Sequence, residues 1–153
     1  MNKEYFESII KVFHKNKEAK AVFCEHLNKY DLVFDCTTDN DLMYILNSLN
    51  LNCNLINMSI TNHAKDLVCA FYPNIYGFVM NQFENVLSND IGDLYSPTGC
   101  WSPTFKASYN DIDLLVQMGL KHINHVFSSE SAKNNFIVTF EGESFQTLKI
   151  KEF

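Results

Sequence analysis

Two short segments concentrate the residue types that could do chemistry. In the first, Asp35 ends an apolar run and is followed by the polar turn Thr37–Asp41. In the second, Cys100 lies between Gly99 and Pro103, shortly before a predicted helix. A buried carboxylate is costly unless it is paired, and a helix N-terminus favours a nearby thiolate. Cys100 is therefore the thiol whose surroundings best favour reactivity.

Each segment also has a purely structural interpretation. Asp35 can hold the following turn by accepting hydrogen bonds from backbone N–H groups. Asp39 is of a residue type that favours helix caps and turns for local reasons. In the second segment, Trp101 and Phe105 can plug the sheet edge, which would make Gly99–Ser108 a rigid packing loop. The sequence leaves both interpretations open.

The histidines and the other cysteines do not indicate a metal site. His122 and His125 are three residues apart on a predicted helix, but no third ligand accompanies them. His63 lies in a turn between two predicted strands, where a solvated side chain is expected. The five cysteines are widely spaced and lack a C-x-x-C pair, which is typical of reduced cytosolic thiols. Those inside apolar runs are expected to be inert core residues: Cys24, Cys36 and Cys69.

Composition restricts the class of protein. The chain has 153 residues, of which 46% are hydrophobic, enough for one domain with one core. The net charge of −6 argues against a non-specific nucleic-acid binder. All 12 basic residues are lysine, so an arginine clamp within this chain is excluded. Without a membrane-length apolar run or a signal-peptide core, we expect a cytoplasmic protein with no membrane partner.

Hydrophobic periodicity predicts the elements that position these residues. A helix is predicted for Tyr5–Asn16, and a solvated break follows it. Residues 42–49 form a predicted helix, with Thr38 and Asp41 as a capping box. The predicted strands of this half are Ala21–Glu25, Leu32–Cys36, Leu55–Ile60 and Asp66–Tyr72, the last two antiparallel to each other.

The second half of the chain is less regular. Residues 74–98 have no clear period and predict a long loop with at most one short helix. The next predicted helix is capped by Ser108 with Asp111, and its buried side carries Ile112, Leu115, Val116, Gly119, Ile123, Val126 and Phe127. The chain ends in a predicted hairpin of Phe136–Glu141 and Phe145–Lys151 around Gly142.

The predicted fold class is α/β, with a partial Rossmann-like, mixed and mostly parallel sheet, flanking helices and a C-terminal β-hairpin. The sequence predicts one truncated domain over residues 1–153. It comprises an N-terminal helix (1–20), half of a doubly wound sheet (21–72), a loop region (73–108) and a helix with the hairpin (109–153).

Two motifs resemble the ThiF/MoeB/HesA superfamily of ubiquitin-activating-like adenylating enzymes. Tyr30–Asn40, with Leu46 and Asn47 on the following helix, is similar to the superfamily pattern D-x-V-x-D-x-T-D-N … L-N. Gly99–Ser108 resembles the segment G-C-x-x-P-T-F-x-A-S that precedes the last long helix in some bacterial members. Together the two motifs and their spacing cover residues 30–127, the C-terminal portion of such a domain.

The resemblance implies a reaction, cofactors and partners. Members of the superfamily use ATP and magnesium to adenylate the C-terminal glycine of a ubiquitin-like or sulfur-carrier protein, and they tend to dimerise. The resemblance makes Asp39 a candidate magnesium ligand, with Asp35 beside it in the cofactor site. It also makes Cys100 a candidate thioester nucleophile.

The chain departs from the superfamily where the chemistry needs cations and glycine. The first glycine is Gly77, so no phosphate-binding glycine loop precedes the first motif. Tyr44 stands where the pattern often has an arginine. An alignment without a gap puts Thr38 at the magnesium position, whereas one extra residue in the turn puts Asp39 there. We prefer Asp39, because Asp39-Asn40 then restores the motif.

The sequence therefore supports two leading hypotheses of function. In the first, the chain is a ThiF-like domain that is inactive alone, or is completed by a partner chain, in a homo- or hetero-oligomer. In the second, it is a non-catalytic interaction module that dimerises with a full-length homologue or binds a ubiquitin-like protein. A third hypothesis is an unrelated α/β binding domain in which both motifs are coincidental.

Overall fold

A computed structural model describes residues 16–37, 39–61, 64–86, 109–141 and 147–153. The N-terminal half contains α1 (Lys17–Leu27), β1 (Leu32–Asp35), α2 (Asn40–Asn47), β2 (Asn54–Thr61) and β3 (Asp66–Phe71). The C-terminal half contains α3 (Ile75–Val86), α4 (Tyr109–Ser128), β4 (Phe136–Glu141) and β5 (Thr147–Glu152). No helix in these described ranges is both long and apolar enough to span a bilayer.

The five strands form one mixed sheet in the order β1-β2-β3-β4-β5. Only β1 and β2 are parallel, in a register that places Asp35 beside Asn57. The pairs β2–β3, β3–β4 and β4–β5 are antiparallel. The predicted α/β class, the mixed sheet and the C-terminal hairpin are confirmed.

The prediction of a mostly parallel sheet is wrong. A parallel pair needs a crossover long enough to return the chain to the same end of the sheet, and α2 provides one between β1 and β2. Only four residues separate β2 from β3, too few for such a crossover, so this pair is antiparallel. The described strands also follow chain order, without the reversal of a doubly wound sheet.

Helices cover the sheet unequally. The first face packs against α1, α2 and α3, and its strand residues include Leu55, Val68, Ala70 and Ile137. The second face packs against α4, and its strand residues include Ile56, Leu67, Cys69 and Val138. At Gly119 the helix lies so close to the sheet that an added Cβ would be 2.8 Å from Leu67 Cδ2. This close approach holds α4 over β3 and β4.

The predicted strand Ala21–Glu25 is wrong, because these residues belong to α1. The predicted solvated break also falls on the first turn of this helix, where the Asn16 side chain caps it by accepting a 3.0 Å hydrogen bond from Ala19 N–H. Phe23 and Leu27 are four residues apart, so both reach the first face. A short apolar run is compatible with either type of element, and here the helical spacing determines the structure.

A second correction concerns the predicted loop from residue 74. Residues 75–86 form the twelve-residue helix α3, whose buried positions Ile75, Phe78, Val79 and Gln82 have helical spacing. The predicted strands at 55–60 and 66–72 and the helix after Ser108 are confirmed in position. Residues 5–15 of the predicted N-terminal helix, the cap residue Ser108 and the turn at Gly142 lie outside the described residues.

Candidate functional site

The first candidate site is the turn at the carboxyl end of β1, where Asp35 is buried. Its Oδ1 accepts a 2.7 Å hydrogen bond from the Thr37 hydroxyl and a 3.1 Å bond from Thr37 N–H. The carboxylate therefore holds the turn, as the structural interpretation predicted. The same Thr37 hydroxyl oxygen accepts a 3.3 Å bond from Asp39 N–H. Through Thr37, the structure joins Asp35 and Asp39 in one hydrogen-bonded turn.

A buried polar chain extends from Asp35 into the neighbouring strand. Asn57 is 1% exposed and donates a 2.9 Å hydrogen bond from Nδ2 to Asp35 Oδ2. Its Oδ1 accepts a 2.8 Å bond from the hydroxyl of Ser59, which is also buried. The carboxylate thus receives three bonds from side chains and backbone, and its orientation is fixed. Asn57 and Ser59 were not predicted as site residues; their spacing of two residues in an apolar strand placed them on one face but did not indicate that Asp35 is their neighbour.

Asp39 is the N-cap of α2. Its Oδ1 accepts hydrogen bonds of 2.9 Å from Asp41 N–H and 3.0 Å from Leu42 N–H. The predicted capping box assigned this role to Thr38, which lies outside the described residues. The residue that caps the helix is Asp39, and the prediction is corrected accordingly. Both cap bonds end on Oδ1, so within the described part of the chain these bonds leave Oδ2 of this exposed side chain available to a ligand.

The turn can supply one carboxylate oxygen to a magnesium ion, but not the rest of the ligands that the ion needs. Proteins that hold magnesium with one or two carboxylates complete its octahedral shell with water and substrate phosphates. Asp39 can supply one such oxygen, whereas Asp35 is engaged in three hydrogen bonds. Within the described ranges, no three His, Cys, Asp or Glu side chains are grouped as a metal site.

Two other residues of the superfamily pattern lie on α2. Tyr44, at the position of the superfamily arginine, is half exposed and meets the Tyr76 ring edge-on at 5.2 Å. Asn47 accepts a 3.1 Å hydrogen bond from Tyr76 N–H, so it fixes the first turn of α3 against α2. Both residues therefore have packing roles, and neither supplies a cation to the turn.

The second candidate site is an apolar groove on the second face of the sheet, beside β1. Its volume is about 430 Å³, and it lies between the strands and one side of α4. The lining residues are Phe34, Cys36, Met58, Ile60, Leu67, Ile112, Val116 and Leu120. Among these, Phe34 and Leu120 are 39% and 38% exposed. The groove can bind an apolar surface, and none of the described residues that line it is charged.

The prediction that Cys36 is a core residue is wrong, because Cys36 is exposed at the rim of this groove. Although the residue is exposed, partial burial of its sulfur raises the pKa of the Cys36 thiol, and the neighbouring Asp35 carboxylate raises it further. A thiol with a raised pKa is a poor nucleophile at neutral pH. Cys69 is a core residue as predicted, and burial strongly raises the pKa of its thiol. Cys24 is half-buried, and Cys100 lies outside the described residues.

The two histidines of α4 share a small pocket of about 200 Å³ next to β5. His122 Nε2 lies 3.1 Å from Glu152 Oε1, but the atoms are not aligned for a hydrogen bond. The His122 ring packs edge-on against Phe136 at 4.5 Å. His125 lines the same pocket. These contacts describe a packed helix surface, and His63 lies outside the described residues.

No known family profile and no curated protein sequence matches this chain. Its function is therefore inferred from the two motifs and from the geometry of the turn and the groove.

Proposed function

We propose that this chain is the C-terminal portion of a cytoplasmic ThiF-type adenylating fold that works only with a partner chain. The activity to which it contributes is ATP-dependent activation of the C-terminus of a ubiquitin-like or sulfur-carrier protein. One observation carries the proposal. The described motif residues, 31–37 and 39–40, fold as a strand, a turn and the start of a helix, and their carboxylates are organised at the open edge of the sheet.

Charge explains why the isolated chain is expected to be inactive. Asp35, Asp39 and Asp41 place three carboxylates within seven residues, at the end of the strand where the nucleotide would bind. Like charges repel a triphosphate unless cations neutralise them. The chain has no arginine and no glycine before Gly77. Magnesium, together with lysines of this chain or basic groups of another chain, would have to supply the missing charge.

The roles of individual residues in this proposal follow from the resemblance. Asp39 takes part in magnesium and ATP binding, with Asp35 holding its turn. Cys100 is the thioester nucleophile in the event that the activated modifier is transferred to this chain. The geometry supports the division between the two carboxylates, since Asp39 keeps one oxygen outside its cap bonds and Asp35 is fully engaged.

A second function has its own supporting observation. The edge strand β1 exposes Leu32 and Phe34, which favours a non-catalytic module that associates with a full-length homologue or a ubiquitin-like protein. Mass measurement by light scattering after size exclusion tests it. An assembly larger than one chain, or a stable complex with a ubiquitin-like protein, is expected from an interaction module. A monodisperse monomer that binds neither partner would exclude this function.

Pyrophosphate exchange with ATP and magnesium tests the catalytic proposal. The isolated chain is expected to show no exchange, and exchange is expected once the partner chain is added. Asp39→Asn keeps a side chain that caps helices well but removes the charge, whereas Asp39→Ala removes both. If Asp39 binds magnesium, both variants lose exchange in the complex and only Asp39→Ala loses stability. Exchange by the isolated chain that Asp39→Ala abolishes would refute the requirement for a partner.

A further inference from the structure

Helix α1 has a second surface beside the one that packs on the sheet. Leu27 is buried in the core of the first face, whereas Val22 is 61% exposed. A shallow pocket lies on this exposed surface of the helix. Among the described residues, those that line the pocket all belong to α1 or to its cap: Asn16, Glu18, Ala19, Val22, Phe23 and His26. This surface of α1 is therefore a helix face without a described partner element.

Four of the lining residues follow helical spacing. They stand at positions i, i+3, i+4 and i+7, and we call them the apolar stripe of α1: Ala19, Val22, Phe23 and His26. A stripe with this spacing is the surface that one helix presents to another when the two pack side by side. The exposed stripe is thus suited to a second helix.

The chain supplies a segment with the same spacing just before α1. Fifteen residues precede Asn16, and among them the i, i+3, i+4, i+7 pattern recurs at Phe6, Ile9, Ile10 and Phe13. Asn16 has a non-helical backbone, with φ −89° and ψ 89°, and its side chain caps α1, so a helix before it cannot continue into α1. Between Phe13 and α1 lie residues 14–16, and an antiparallel pair of helices needs a connection of about two to five residues.

An antiparallel hairpin centred on Asn16 matches the two stripes residue by residue. The facing pairs are Phe13 with Ala19, Ile10 with Val22, Ile9 with Phe23 and Phe6 with His26. Neither stripe contains Lys, Asp or Glu, and Glu18 lines the pocket outside the stripe. The contact therefore removes apolar surface from water without burying a carboxylate or an ammonium group.

We propose that residues 5–13 of the same molecule dock as a helix on the apolar stripe of α1. Connectivity favours this occupant over a second copy, because a segment joined through three residues has a high effective concentration at the stripe. The docked segment adds a helix to those that cover the first face of the sheet. The proposal does not depend on the proposed function, and it removes this surface of α1 from those open to a partner chain.

Site-specific photo-crosslinking of the purified full chain tests the docking. A photoreactive amino acid replaces Val22, and the crosslinked residues are identified by mass spectrometry. Ala21 is the matched control, because it is an exposed neighbour on the same helix that does not line the pocket. Crosslinks from position 22 are expected on residues 9–13, and position 21 is expected to give none to residues 5–13.

Mixing unlabelled chains with chains labelled with ¹⁵N separates the possible occupants. Within one molecule, both halves of each crosslink carry the same isotope, which is the expected result. Crosslinks that combine the two isotopes would assign the stripe to a second copy and overturn the proposal. So would crosslinks from position 22 to residues 87–108, the absence of any crosslink, or equal crosslinking of residues 5–13 from positions 21 and 22.

Hydrogen exchange of the full chain provides an independent measurement. Ile10→Asp places a carboxylate in the contact and is expected to accelerate exchange of the α1 amides, relative to those of the central strand β3, by about tenfold. This factor corresponds to about 1.4 kcal/mol. Lys11→Asp places the same residue beside the contact and is expected to leave the ratio unchanged. Equal ratios in the two variants would refute the proposal.

Discussion

Replacing Asp35 with alanine tests whether the buried carboxylate holds the turn that carries the motif. The substitution removes three hydrogen bonds, two from Thr37 and one from Asn57. Thr37 is exposed, so water can replace the carboxylate there at little cost. Asn57 is 1% exposed, so its amide donor is left unsatisfied away from water. An unsatisfied buried donor costs about 1–3 kcal/mol, which sets the main part of the expected loss.

One opposing effect must be weighed against this loss. Burying a carboxylate costs desolvation free energy, and its removal recovers some of that cost. The three hydrogen bonds to a charged acceptor, each contributing about 1.5–3 kcal/mol, are expected to exceed the recovered part. We therefore expect Asp35→Ala to lower the free energy of unfolding by about 3 kcal/mol in total.

Equilibrium unfolding in urea is the assay, with tests for two-state behaviour. Asp35→Asn is expected to cost less, about 1 kcal/mol, because Asn57 can rotate its amide and Ser59 can then act as acceptor. Asp31→Ala, an exposed carboxylate just before the same strand, is the control and is expected to change stability by less than about 0.5 kcal/mol. If Asp35→Ala is as stable as the wild type, desolvation outweighs the bonds and the reasoning is refuted.

Three further predictions concern the cap of α2 and the thiols of Cys69 and Cys36. Asp39→Ala is expected to lower the free energy of unfolding by about 1 kcal/mol through loss of the α2 cap, and Asp39→Ser to recover most of it, both measured in urea. Burial raises the pKa of the Cys69 thiol, so only the unfolded chain ionises there as pH rises. The contribution of Cys69 to stability is therefore constant below about pH 8 and falls above it, and Cys69→Ala should reduce the difference in unfolding free energy between neutral and alkaline pH. Cys36 is expected to react with iodoacetamide more slowly than cysteine in an unstructured peptide, measured by mass spectrometry at mildly alkaline pH, because its thiol pKa is raised. Equal rates for the two thiols would contradict the inferred electrostatics.

The elements with the strongest sequence patterns were predicted well. Residues 55–60 and 136–141 are apolar runs rich in residues that favour strands, and both are strands of the sheet. The helix after Ser108 was predicted because its apolar residues repeat at helical spacing over five turns. Long or strongly periodic segments leave few alternatives, so local information is sufficient for them.

The errors lie where local information is ambiguous. The run Ala21–Glu25 is equally compatible with a strand and a helix, and packing of Phe23 and Leu27 on the first face selects the helix. The helix Ile75–Val86 contains Gly77 and two asparagines, which weaken its helical propensity, and its burial against β3 compensates. In both cases the contacts that decide the structure come from distant parts of the chain.

The residues of the candidate site also divide into those that the sequence predicted and those that it did not. Asp39 as a cap and Asp35 as the residue that holds the turn were recognisable, because their hydrogen bonds reach only two or three residues along the chain. Asn57 was not recognised, because its partner Asp35 is 22 residues away and is brought beside it by the parallel pairing. Its place in the site becomes visible only in the paired sheet.

The sequence by itself determined the chemical limits of this protein: no arginine, no glycine before Gly77, and a polar turn that begins a helix. These are properties of composition and of short-range hydrogen bonding, which do not depend on how the chain folds. The tertiary structure alone decided that β1 is an edge, that Asp35 is buried and that the groove is open beside Phe34. Edges, burial and grooves depend on which distant segments pair and pack, because solvent exposure is a property of the whole fold.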